Sequence, residues 1–157
     1  MLNIGEGLYR SQIINRIYQI LQTEQLDFTL EEVERLYNRE LFNIVTDKAF
    51  YRADQIIFTY KSLFDNLFHE PLNEDILKKI YAFMISDTWH PYLVCPNTYF
   101  FSLIVDLEKI EDYQAKIDYV YNILHAMCAE LSPLHIIAAD YVAMYHGLPL
   151  KDITAPV

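Results

Sequence analysis

The chain has 157 residues, 53% hydrophobic and 22% charged, with a formal net charge of −10. That length is enough for one domain with a real core, and the composition excludes a disordered chain. The acidic balance disfavours direct nucleic-acid binding, which draws its affinity from Lys and Arg neutralising phosphates. Three glycines leave little room for tight hairpins or phosphate-cradling loops, while 13 Tyr and nine Phe predict an aromatic-rich core with tyrosine hydroxyls at its edge.

Cys95 and Cys128 have no CxxC spacing and read as free thiols in a reducing compartment. No basic start is followed by an apolar stretch, and no apolar run is long enough to span a bilayer. These features predict a cytoplasmic protein with no membrane association.

In chain order, Leu8, Ile13, Ile14, Ile17, Tyr18 and Leu21 recur at helical spacing and predict a helix over 8–22, with Arg10 and Arg16 on its other side. Gly5-Glu6-Gly7 reads as a flexible lead-in. No strand precedes it and no third glycine follows, so it is not a dinucleotide fingerprint. Thr29-Leu30-Glu31-Glu32 fits a capping box opening a short helix to about Tyr37. Thr46 and Asp47 can cap the clearest helix of the chain, over about 47–68, in which Ala49, Ala53, Ile56, Ile57, Tyr60, Leu63, Phe64 and Leu67 form the apolar face. Arg52, Asp54, Lys61 and Asp65 mostly occupy the remaining positions.

His69-Glu70-Pro71 stops that helix, and Asn73 can cap another over about 74–86. Residues 87–98 (DTWHPYLVCPNT) read as a loop, and 99–108 fit helix or strand equally. Residues 117–131 and 136–148 read as two amphipathic helices separated only by Ser132-Pro133-Leu134-His135. Gly147 is placed to terminate the second, and Pro149 prevents its continuation. The expectation is a single all-α domain over residues 1–157, with six to seven helices.

Three stretches carry a resemblance to the Fic domain family, helical proteins that transfer AMP or another phosphate-bearing group to a protein hydroxyl. Residues 24–35 (EQLDFTLEEVER) resemble the stretch around the family's inhibitory glutamate. Residues 43–84 are similar to the two helices that follow, most clearly at PLNEDILKKIYAFM. Residues 117–150 resemble the helices entering and leaving the catalytic loop. The family's loop reads H-P-F-x-[DE]-G-N-G-x-x-R: a basic His, a metal-holding carboxylate, and glycines and an Arg that hold phosphate.

Here Ser132 stands at the place of the catalytic His, and Pro133 and Leu134 match the Pro and Phe. No Gly-Asn-Gly exists in the chain, and no Arg lies beyond Arg52. Glu24 stands at the place of the inhibitory glutamate, but Gln25 and Leu26 replace the usual Gly and Asn. With no Arg to clamp, inhibition by Glu24 would have nothing to act on. The resemblance therefore implies a degenerate Fic-like domain, a pseudoenzyme whose remnants are Glu24, Ser132, Pro133 and His135.

No other constellation points strongly to chemistry. The histidines form neither HExxH nor a zinc spacing, so no metal and no cofactor is expected. His135, Asp140 and His146 are spaced by five and six and do not share a helical face. Cys128 and His125 lie mid-helix, where nothing activates a thiol. Ser132 near His135 lacks an acidic partner.

The aromatic-rich stretch with Trp89, His90, Tyr92, Tyr99 and Phe100 fits either a lid over the core or a protein-binding patch, because aromatic anchors dominate interface energetics. The leading expectation is a non-enzymatic protein that binds and regulates another protein, in the manner of an inhibitor, an antitoxin-like partner or a phage-borne protein acting on a host. Two alternatives are a nucleotidyl or phosphoryl transferase with an atypical site near Ser132, His135 and Asp140, and an acidic mimic of nucleic acid.

Overall fold

A computed structural model describes residues 2–40, 48–66, 105–129 and 133–151 of the chain. Among them the fold is all-α, with helices α1 (Leu2–Thr23), α2 (Leu30–Tyr37), α3 (Lys48–Asn66), α4 (residues 105–109), α5 (Tyr113–Ala129) and α6 (Pro133–Tyr145). The expected helix over 74–86, the Thr46-Asp47 cap and the loop over 87–98 lie outside the described residues.

Helix α1 buries Ile13, Ile14, Ile17, Ile20 and Leu21, the face that its three-and-four spacing anticipates. It begins at Leu2, so Gly5 and Gly7 lie within the helix rather than in a flexible lead-in. Arg16 is a second correction. It is 1% exposed, on the inner side of α1. At 100° per residue Arg16 falls just 40° from Ile20, at the margin of the apolar arc rather than opposite it.

The capping box of α2 forms as expected. The Thr29 hydroxyl accepts from the Glu32 amide at 3.1 Å, and the Glu32 carboxylate accepts from the Thr29 amide at 2.9 Å. The box satisfies two backbone donors that an uncapped helix start leaves unpaired.

Three helices end in the same way. After α1 the Leu26 amide donates to Leu21 O, after α2 the Glu40 amide donates to Arg35 O, and after α6 the Leu148 amide donates to Ala143 O. This is the Schellman closure, which needs a left-handed residue just past the helix. Gly147 supplies it with φ 71°, as its position in the sequence suggests. Gln25 (φ 60°) and Arg39 (φ 63°) supply it without glycine, each at a cost of about 1–2 kcal/mol. A chain with three glycines closes two helices on costlier residues.

Helices α1, α2 and α3 pack against one another, α5 packs on α6, and α6 packs on α3. Lys61 ties α3 to the end of α2. Its ammonium donates to the Tyr37 carbonyl and lies 4.5 Å from the Tyr37 ring centre. Asp112 caps α5, its carboxylate accepting from the Ala115 amide at 2.9 Å. The Tyr119 hydroxyl donates to Asp106 across to α4 at 3.0 Å.

Helix α6 departs from the expected amphipathic pattern. Every residue from Ile136 to Met144 is buried. A helix apolar all round belongs inside a protein, and α6 is that central element. Its start also differs from expectation. Pro133, Leu134 and His135 lie in the helix rather than in a turn before it. Proline suits the first helical position, where its missing N–H would be unpaired anyway.

Candidate functional site

The burial of α6 creates a problem of charge. Asp140 projects from its middle and is 0% exposed, and an isolated carboxylate in such surroundings is strongly disfavoured. Two other helices answer it. Arg16 of α1 donates through Nε to Asp140 Oδ2 at 2.9 Å. The Tyr60 hydroxyl of α3 donates to the same oxygen at 2.6 Å. Arg16 Nη1 also donates to Gln19 Oε1 at 2.9 Å. A single carboxylate thus joins α1, α3 and α6.

The junction is incompletely paired. Arg16 Nη2 and Asp140 Oδ1 are buried without a hydrogen-bond partner. Burial pushes the Asp140 carboxyl up from its ordinary range, against the downward pull of the Arg16 guanidinium and the Tyr60 hydroxyl. Burial, and then the Asp140 charge, push the Tyr60 hydroxyl well above the usual phenol range. Tyr60 accordingly stays a proton donor throughout the physiological range.

A second ion pair lies near the rim. Arg52 of α3 grips Glu24, just past the end of α1, with both carboxylate oxygens engaged. Nε donates to Oε1 at 2.7 Å, and Nη2 donates to Oε2 at 2.8 Å. Arg52 Nη1 donates to Gln55 Oε1 at 2.9 Å, fixing the guanidinium plane along its own helix. Sequence reasoning set Arg52 among the positions outside the apolar face of its helix and gave Glu24 no arginine to clamp. The structure puts the pair half-buried and face to face.

The third polar assembly holds the segment after α6. The Tyr9 hydroxyl donates to Leu148 O at 2.8 Å, and the Leu150 amide donates to Gln12 Oε1 at 2.7 Å. The Tyr113 hydroxyl reaches Gly147 O at 3.4 Å, and the Lys151 ammonium lies 5.2 Å from the Tyr121 ring centre. Burial, with the neighbouring Tyr113 hydroxyl adding to it, pushes the Tyr9 hydroxyl up to about 12.

Of the residues singled out by sequence, Glu24 and Asp140 are engaged by arginines, and Pro133 is buried at the start of α6. His135 follows within the first turn of that helix. Trp89, His90, Tyr92, Tyr99, Phe100 and Ser132 lie outside the described residues. No group of three or more His, Cys, Asp or Glu side chains among the described residues is arranged to hold a metal ion. No helix among them is long and apolar enough to cross a membrane.

Arg16 and Tyr60 are the site residues that sequence reasoning missed. A signal existed: one aspartate in the middle of an otherwise apolar helix demands a buried partner. Gln12, Arg16 and Gln19 also form a polar strip along one flank of α1. No family model, characterised protein or solved structure matches the chain.

Proposed function

We propose that the chain is a non-enzymatic domain that binds and regulates another protein, on a helical scaffold similar to a Fic domain without its catalytic loop. The observation that carries this reading is the state of Asp140. It is the one carboxylate in the sequence of α6, and it is spent on Arg16 and Tyr60 inside the protein. A carboxylate closed off from solvent and held by a guanidinium is a structural element, without the access that acid–base or metal chemistry requires.

Three further features support the scaffold reading. The helix that would leave a catalytic loop is the buried centre of the fold. Gln25, at the place of the family's usual glycine, has the left-handed backbone that glycine serves. Glu24, at the place of the inhibitory glutamate, does clamp an arginine, though one from α3. The binding surface in this proposal is the aromatic stretch of Trp89, His90, Tyr92, Tyr99 and Phe100, and the compartment is the cytoplasm.

The test is thermal unfolding with and without millimolar ATP, GTP, CTP or UTP and Mg²⁺. A ligand that binds only the folded state raises the apparent stability. The proposal predicts no shift with any nucleotide. A saturable, nucleotide-specific shift would overturn it in favour of a nucleotidyl or phosphoryl transferase near Ser132, His135 and Asp140.

A further inference from the structure

We infer that the Arg16–Asp140 junction is a binding site for a single buried water molecule, held between Arg16 Nη2 and Asp140 Oδ1. A guanidinium meets a carboxylate side-on through Nε and Nη2, two donors on one edge of a planar fork. Arg52 uses that edge in full on Glu24, with Nε on Oε1 at 2.7 Å and Nη2 on Oε2 at 2.8 Å. Arg16 uses half of it. Its Nε donates to Asp140 Oδ2 at 2.9 Å. Nη2 and Oδ1, the donor and acceptor that would close the second prong, are both buried without a hydrogen-bond partner.

The neighbours hold the fork in this half-closed state. The Tyr60 hydroxyl donates to Oδ2 at 2.6 Å, so two donors from two helices converge on one carboxylate oxygen. Gln19 Oε1 accepts from Nη1 at 2.9 Å and fixes the guanidinium from its other side. Turning the carboxylate to bring Oδ1 onto Nη2 would draw Oδ2 away from Tyr60. Turning the guanidinium instead would cost the bond to Gln19. The two side chains are 1% and 0% exposed, so bulk solvent does not reach the second prong. An ionic donor or acceptor left without a partner in the interior costs more than a neutral one.

The chemistry of the two groups selects the occupant. It accepts from a guanidinium on one side and donates to a carboxylate on the other. A halide would accept from Nη2 but give Oδ1 nothing. A metal ion or an ammonium would satisfy Oδ1 but be repelled by Arg16. Water is uncharged, does both, and is the smallest molecule that can; two polar partners suffice for an internal water. The second prong of the pair is then closed through that water, and α1 and α6 are joined by one direct and one bridged contact.

The experiment uses the full chain and has two parts. A crystal structure at a resolution that places waters should show one peak within hydrogen-bond distance of both Arg16 Nη2 and Asp140 Oδ1. Magnetic relaxation dispersion of the solvent then counts the long-lived internal waters in solution. The double variant Arg16→Met with Asp140→Leu removes both partners together and should hold one such water fewer than the wild-type protein. The crystal structure of the wild-type chain decides the question even where the double variant does not fold. A direct contact between Nη2 and Oδ1, no density in the fork, or an equal count in a folded double variant would each overturn the bound water.

Discussion

Among the described residues, Arg16–Asp140 and Arg52–Glu24 are the two arginine–carboxylate pairs most shielded from solvent, and they differ in where they stand and how well they are made. Arg16–Asp140 lies in the centre with side chains 1% and 0% exposed, and it leaves one guanidinium nitrogen and one carboxylate oxygen unpaired. Arg52–Glu24 lies at the rim with side chains 14% and 21% exposed, and it engages both carboxylate oxygens. The better geometry is found where water could have substituted for it, and the poorer geometry where bulk solvent does not reach. In the interior the cost of desolvating two ions sets the energetics, and removing one partner strands the other. Nearer the rim a stranded charge regains part of its hydration, so breaking the pair costs less than in the centre, although its two-pronged geometry makes it worth more than an ordinary surface pair.

The comparison is broken most directly by Asp140→Asn, which keeps the shape but leaves the Arg16 cation buried without a counter-ion. Urea denaturation should show a loss of about 3–5 kcal/mol. Tyr60→Phe removes only the hydroxyl that donates to Asp140 and should cost about 1–3 kcal/mol in the same assay. Thr29→Ala, which removes half of a capping box without touching either pair, should cost about 1 kcal/mol and calibrates the scale between them. Glu24→Gln should cost about 1 kcal/mol, and raising the salt concentration should shrink the difference.

A pH-dependent effect belongs to the C-terminal segment under alkaline conditions. Tyr9 holds its proton up to about 12 in the folded protein, against an ordinary 10.0. Its contribution is therefore complete below pH 10 and is lost as the pH rises through about 12. Tyr9→Phe should flatten the wild-type decline in stability over that window, measured by denaturation at each pH.

Legibility in the sequence followed the strength of local signals. The Thr29–Glu32 box, the Gly147 terminus and the apolar face of α3 were readable because each is written in residues three or four apart. The junction was not, because Arg16, Tyr60 and Asp140 are brought together from three helices, and periodicity on one helix says nothing about which others face it. Arg16 was misplaced because it sits at the edge of the apolar arc of α1, where a count of apolar positions treats every charged residue as outward. The pairing of Arg52 with Glu24 was not legible either, because the two are far apart in the chain and no local spacing links them. The all-round burial of α6 was legible in principle from IIAADYVAM, whose single aspartate interrupts an otherwise apolar run with no polar face.

In the interior junction Arg16 and Asp140 act as one structural pair that ties α1 to α6. A double-mutant cycle on Arg16 and Asp140 tests it, with Arg16→Met, Asp140→Leu and the two together compared by urea denaturation. If the pair is structural, each single change strands a buried charge and costs several kcal/mol, whereas the double change replaces an ion pair with apolar side chains and recovers most of the loss. If the double variant is instead as unstable as the two singles summed, Arg16 and Asp140 do not act as a pair and the account of the core is wrong.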